Sequence, residues 1–346
     1  MILRWLWHLS YFYVTWGTFF AVAVITFVVL CIHNRTVFSL RRFIRHCVPF
    51  EAWTSKSVRM DVFLWGLAKV MTFRDLPLIG SSMAVAALLS RHLKQLFPNL
   101  TTIRPTAWML AVAIACLLVF KEFVDYAIHY AQHRVPILWE LHKVHHTALH
   151  LMPLTAKRGH PLEMFMQGAI VGVANGLAFG VCGFIFGLSL PELILSTGIL
   201  GKMMTIGSLD TLRHSHFQMG FGWLDKVFIS PHMHHIHHSR LTHHWDRNFG
   251  TNLSIFDWIF GTAYRPGKNE EIAYGIGDEE EERAHLTLSG ALLGPLLKMW
   301  GMVVSTVVTF VRPGQRTHSG GDLNLLRGLD GTVSIDQHAE ARVSHT

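Results

Sequence analysis

Residues 107–146 read AWMLAVAIACLLVFKEFVDYAIHYAQHRVPILWELHKVHH, an apolar run that passes without a break into five histidines. Ala107 to Phe120 carries no charge, proline or glycine and has the composition of a helix in a bilayer. The helical pattern continues past Lys121 and Glu122 to His129 and His133, which lie four apart and therefore on one face. His142, His145 and His146 form an H-x-x-H-H box, whose i, i+3, i+4 spacing again gathers side chains on one side of a helix. The same box returns at His234, His237 and His238, so each box can offer three ligands to one cavity.

Composition points to a membrane protein. Half of the 346 residues are hydrophobic and 15% are charged, against roughly 25% charged in a soluble domain. The formal charge of +7 is concentrated in short segments, which fits topology and headgroup contact and excludes nucleic acid as a partner. Tyr11 to Ile32 is an apolar run long enough to span, with no cleavage-like site after it, and reads as a retained anchor. Between His33 and Met60, Arg35, Arg41, Arg42, Arg45, Lys56 and Arg59 face a single Glu51, which puts this loop in the cytoplasm and the amino terminus outside. Cys31, Cys47, Cys116 and Cys182 form no paired motif and read as apolar packers.

Further along, Lys69, Arg74 and Asp75 interrupt the apolar stretch 61–97, which reads as interfacial, re-entrant or a short span. Phe165–Leu188 and Pro191–Met204 form an apolar hairpin with a very short turn. Gly168, Gly172, Gly176 and Gly180 repeat every four residues, a small-residue stripe suited to close helix packing or to a groove for an acyl chain. An even number of crossings sets the histidines before and after the hairpin on the same side, the cytoplasmic one. The fold class is all-α, a polytopic transmembrane bundle of about 4–6 membrane helices with a cytoplasmic histidine-rich di-metal cap. The expected organisation is an anchor and basic loop at 1–60, a catalytic unit at 61–285, an interfacial or transmembrane helix at 286–311 and a disordered tail at 312–346.

Sixteen of the 24 histidines fall between His129 and His244. Imidazole suits zinc, copper, iron and nickel, and eight or more convergent histidines exceed what one tetrahedral ion uses, so two ions are implied. Ligating histidines hand their second ring nitrogen to a carboxylate or carbonyl, for which Asp125 and Asp246 are the candidates. Isolated histidines such as His8, His33, His46, His92 and His285 read as structural or surface groups.

At these residues the chain resembles the fatty acid hydroxylase and sterol desaturase superfamily of membrane di-iron proteins, over 125–264. The likeness runs through H-Y-A-Q-H (His129–His133), L-W-E-L-H-K-V-H-H (Leu138–His146), R-G-H-P (Arg158–Pro161), His214, P-H-M-H-H-I-H-H-S (Pro231–Ser239), D-R-N-F-G (Asp246–Gly250) and D-W-I-F-G-T (Asp257–Thr262). Two departures stand out: Tyr130 replaces an arginine common in the first pair, and His216 lies where the family commonly has Asn. The resemblance implies as ligands His129, His133, His142, His145, His146, His214, His234, His237 and His238. His160, His216 and His235 form a second tier, with Asp125 and Asp246 behind them. His232, His243 and His244 also exceed the family's minimum pattern. Asn248 and Gly250 are expected to fix a turn, and the segment from Asp257 to Thr262 to anchor the cap.

The resemblance further implies two iron ions, molecular oxygen as co-substrate, and removal of hydrogen from a C–H bond of a fatty acyl, sterol or related lipid, with hydroxylation ahead of desaturation. No H-P-G-G segment, dinucleotide-binding glycine motif or cysteine cluster occurs. Electrons are therefore expected from a separate ferredoxin-, rubredoxin- or cytochrome b5-like protein. Two other classes remain at this point: a zinc-dependent membrane lipid hydrolase, which needs far fewer histidines, and a metal transporter with a histidine-rich loop.

Overall fold

The computed structural model describes residues 2–34, 36–71, 74–101, 103–267 and 270–311. The tail expected at 312–346 lies outside the described residues. Fifteen α-helices carry the described chain. Only two isolated β-bridges, Phe228 with Leu253 and Ser239 with Tyr274, occur among the described residues, so the all-α expectation holds.

The amino-terminal helix α1 (Ile2–His33) covers the expected first span. The basic segment after it is mostly helical: α2 (Leu40–Cys47), α3 (Phe50–Trp53) and the start of α4 (Lys56–Met71) occupy it. The interrupted stretch forms α4 and α5 (Asp75–Leu96), and α6 (Ala107–Arg134) is the helix read from the sequence. Three stretches are long and apolar enough to cross a membrane, namely Lys56–Leu96, Ala107–Arg134 and Pro161–Phe186. Trp16–Ile32 and Gly294–Val308 are shorter apolar helices.

One residue separates the two ends of the first histidine region. Val135 precedes Pro136, which disfavours a helical conformation; it adopts φ −100° and ψ 113°, ending α6 and turning the chain into α7 (Pro136–His146). His160 caps α8 (Pro161–Phe186) through its side chain, and Gly187 ends it at φ 65°, where a residue with a Cβ would be strained. Ser189 and Glu192 form a capping box that starts α9 (Leu190–Gly207). After α10 (Asp210–Arg213) come the second-box helix α11 (Pro231–His237), α12 (Ile255–Phe260) and α13 (Glu279–Ala284). The apolar 286–311 segment divides into α14 (Leu288–Leu292) and α15 (Gly294–Val311).

The glycine stripe of α8 lies against α5. A Cβ at Gly168 or Gly172 would meet the carbonyls of Arg74 and Leu78, and one at Gly176 would sit 2.8 Å from the Ser82 carbonyl. Ser81 and Ser90 donate across this seam to the Ala169 and Gly180 carbonyls at 3.2 and 3.1 Å. The stripe is filled by a neighbouring helix, so the packing reading accounts for all four glycines. At Gly180 the added Cβ would meet only the Leu89 side chain, no nearer than 3.0 Å. Gly172→Ala should therefore cost about 3 kcal/mol, the upper end of overpacking. Gly180→Ala should stay within about 1 kcal/mol, because alanine's helix preference offsets the crowding. Thermal unfolding in detergent checks the contrast, and equal losses would contradict this packing.

Candidate metal centre

All nine histidines expected as ligands come together, in two adjoining clusters. One contains His129 and His133 from α6, His142 and His146 from α7, and His237 from α11; the other contains His145, His214, His234 and His238. Within each cluster one ring nitrogen from every member lies within 4.8 Å of the others. The clusters meet where the rings of His146 and His238 stack, with centroids 4.5 Å apart.

Each box is divided between the clusters rather than serving one pocket. Its i and i+4 histidines project about 40° apart around the helix, while the i+3 residue points about 100° away from i+4. Thus His142 and His146 serve the first cluster while His145 crosses to the second; His234 and His238 serve the second while His237 crosses to the first. The chain leaves this region at α8 and returns from the hairpin at His214, whose Nε2 is 3.2 Å from that of His145. Both ends of the hairpin therefore sit on one side.

The rings are aimed by bonds to their second nitrogens. His129 Nδ1 donates to the Phe249 carbonyl at 2.7 Å, His145 Nδ1 to that of Arg158 at 2.9 Å and His237 Nδ1 to that of Arg247 at 2.9 Å. His142 Nδ1 bonds Glu163 at 2.6 Å, and Gln132 also donates to that carboxylate at 3.0 Å. These contacts leave the Nε2 lone pairs facing inward, the tautomer a metal requires. In the second cluster the Nε2 atoms of His214, His234 and His238 lie 3.1 Å from one another, while their buried Nδ1 atoms have no hydrogen-bond partner. A single shared proton cannot satisfy three converging lone pairs, so a cation suits the donor set.

Burial keeps these imidazoles neutral. It alone pushes His142 down to about 3; with neighbouring histidines adding to the effect, it takes His145 to about 3 and His146, His214, His234, His237 and His238 well below the usual histidine value.

Two buried carboxylates hold the carbonyls in place. Arg158 pairs with Asp61 of α4 at 2.8 Å and donates to the Val144 carbonyl and Thr147 hydroxyl at 2.8 and 2.9 Å, fixing the loop whose carbonyl receives His145. Asp257 accepts from the Phe249 and Gly250 amides at 2.7 and 2.8 Å and from the Thr262 hydroxyl, fixing the carbonyl that receives His129. Burial raises Asp257 to about 6, against these donors. Asn248, at φ 58°, donates to the Met233 and Tyr264 carbonyls, and a Cβ at Gly250 would strike the Leu253 carbonyl. Both fix the turn, as expected.

The second-tier residues lie outside the two clusters. His160 caps α8 and donates to the Leu292 carbonyl at 2.9 Å. His216 donates to the His46 carbonyl at 2.8 Å, and His235 shares a 3.2 Å hydrogen bond with Tyr274. Asp125 pairs with Lys121 at 2.5 Å instead of receiving a histidine; Asp246 stands 3.8 Å from His133 Nδ1 and 3.4 Å from Arg134. Glu163 was not singled out from the sequence, although its place two residues after the R-G-H-P motif, in the first turn of α8, was a signal.

Residues 114–262 match the family model for fatty acid hydroxylases. The segment belongs to the fatty acid hydroxylase superfamily. Relatives of this segment include the ornithine lipid hydroxylase OlsE of Rhizobium tropici, 27% identical across 50% of this chain and 48% of that protein. An alkylglycerol monooxygenase of Caenorhabditis elegans is 28% identical across 48% of this chain and 30% of its own length. A putative methylsterol monooxygenase of Dictyostelium discoideum is 28% identical across 46% of this chain and 53% of its own length. The chain thus spans between about a third and about a half of these relatives' length. No solved structure matches it.

Two outcomes follow from the geometry of the two clusters. Glu163→Gln should lower metal affinity by about 10–100-fold, the usual effect of losing an outer carboxylate, in a chelator competition; unchanged affinity would deny it an orienting role. The second concerns pH. His145 and His235 are both pushed by burial to about 3 from an ordinary 6.5, so below 6.5 the unfolded chain takes up protons that the folded chain refuses. Metal-free protein should therefore lose about 1.4 kcal/mol per pH unit for each such histidine as pH falls below 6.5. Melting temperatures flat between pH 7.5 and 5.5 would contradict the neutral state.

Proposed function

We propose that this chain is a membrane-embedded, di-iron lipid hydroxylase that inserts oxygen into a C–H bond of a lipid's apolar chain. The observation that carries this reading is the convergence of nine imidazoles into two adjoining clusters at the end of an apolar helix. The relatives named as hydroxylases and monooxygenases of ornithine lipid, alkylglycerol and sterol favour hydroxylation over desaturation. Their substrates share a long apolar portion and differ in the headgroup, so we assign the substrate class as a membrane lipid.

Two iron ions held by His129, His133, His142, His146 and His237 on one side and by His145, His214, His234 and His238 on the other would supply oxygen activation. The chain's own part is to hold and to place. His129 lies 22 residues beyond Ala107, about 33 Å along α6, which is close to the thickness of the hydrocarbon layer. A lipid lying in the bilayer therefore meets the centre at the membrane boundary with its chain still in an apolar setting. Burial of seven of the nine rings, together with Phe249 packed against His129 and His133, excludes bulk water. Arg158, Glu163 and Asp257 keep the rings from turning, which preserves the placement on which selection of one carbon among many depends.

We place the centre on the cytoplasmic face, with the basic 33–60 segment, and assign electron delivery to a separate ferredoxin-, rubredoxin- or cytochrome b5-like protein. Residues 61–285 are the proposed catalytic unit, with 1–60 as its anchor and 286–311 as an apolar closing helix.

Because the boxes divide between clusters, single substitutions should separate the ions. His146→Ala should impair the first cluster and His238→Ala the second, each lowering bound iron from two to about one per chain and abolishing lipid oxidation. Elemental analysis of detergent-purified protein, alongside mass spectrometry of lipid extracts, reads both. Full iron content and full activity in either variant would overturn the assignment.

A further inference from the structure

Beyond the nine-histidine centre, the loop after the second box gathers another set of metal-binding groups. His243 and His244 lie in a single 3-10 turn, Thr242–His244, and Glu270 folds back against both. Glu270 Oε1 is 3.2 Å from His244 Nε2 and 3.8 Å from His243 Nε2, and the three donor atoms form a group within 4.8 Å. Neighbouring donors on a tetrahedral zinc are about 3.4 Å apart, given metal bonds of about 2.0–2.1 Å. Both spacings to Glu270 therefore already lie close to that value, and the two imidazole nitrogens are within 4.8 Å of each other.

The rest of the arrangement prepares it. His244 is fully buried, and its Nδ1 bonds the Ser239 hydroxyl at 2.9 Å, which turns Nε2 toward Glu270. Glu270 is held by two donors: Tyr264 OH to Oε1 at 3.0 Å and the Gly267 amide to Oε2 at 2.9 Å. His243 is more than half exposed, at 59%, so the fourth position opens to solvent. A pair of imidazoles, one carboxylate and an open position make a donor set for a borderline divalent ion, zinc above all, and a poor one for calcium or magnesium.

We propose that His243, His244 and Glu270 form a separate, solvent-exchangeable site for a divalent transition ion, with water as its fourth ligand. It is independent of the reading of the nine-histidine centre, because it shares no ligand with either cluster. It is nevertheless joined to that centre through one hydroxyl: Ser239 follows His238 in the chain and bonds His244. The competing account of the same atoms is a plain histidine–carboxylate ion pair with no metal.

The test is a zinc titration of full-length, iron-loaded protein in detergent, with metal counted per chain after gel filtration. Wild type should retain one zinc more than His243→Ala, whatever the buried clusters hold, and iron content should be equal in the two. Glu270→Gln, which keeps a hydrogen-bonding side chain but removes the anion, should weaken this extra zinc by at least about 10–100-fold. Cobalt added in place of zinc should give visible absorption bands in wild type that His243→Ala lacks. Equal zinc retention in wild type and His243→Ala, or full retention in Glu270→Gln, would overturn the proposal and leave the ion pair as the account. His243 is exposed, so its removal leaves the fold intact, and an unchanged melting temperature verifies this.

Discussion

Everything around the centre answers to one constraint: imidazoles buried at this density must stay neutral and must point their lone pairs the same way. A neutral ring has one donor and one acceptor nitrogen, so fixing the donor fixes the acceptor. For four of the nine rings the protein does this with three backbone carbonyls, those of Phe249, Arg158 and Arg247, and one carboxylate, Glu163. Carbonyls cannot be protonated and hold their direction as long as the backbone does. The buried ions Asp61, Arg158 and Asp257 thus act on backbone rather than on the rings, and their own isolation from water is tolerated because each is multiply bonded.

That division explains which parts were legible in the sequence. The boxes could be read because helical spacing is local: three positions in five residues decide whether rings converge. The nine expected ligands were brought together by the fold for this reason. The assignment of each ring to one cluster depended on how α7 and α11 face one another, which no single helix encodes. The orienting groups were harder still. A carbonyl has no residue-type signature, and Glu163 reaches His142 across 21 positions. Asp125 looked suitable one turn before His129, but Lys121, four residues earlier on the same helix, takes its carboxylate.

The buried charges around the first box show a similar limit. Lys143 sits inside the first box and is almost fully buried, paired with Glu140 and with Glu281 of α13, which in turn holds Lys298 of α15 at 2.7 Å. In the sequence Lys298 is a lone charge within the apolar 286–311 segment. In the fold it clamps that helix to the element carrying His142, His145 and His146. At the other end, Phe19 of α1 packs among Leu212 and Phe217, beside His214. Both terminal apolar helices therefore brace the centre, although neither supplies a ligand to it.

The tight α5–α8 seam has a bearing on traffic as well as on packing. Where two backbones approach so closely that even a methyl group would collide, no acyl tail can wedge between them. If the chain acts on a membrane lipid as proposed, that seam is closed to the substrate and entry has to lie elsewhere on the bundle. The direction of entry would then decide which carbon halts beside the two histidine clusters.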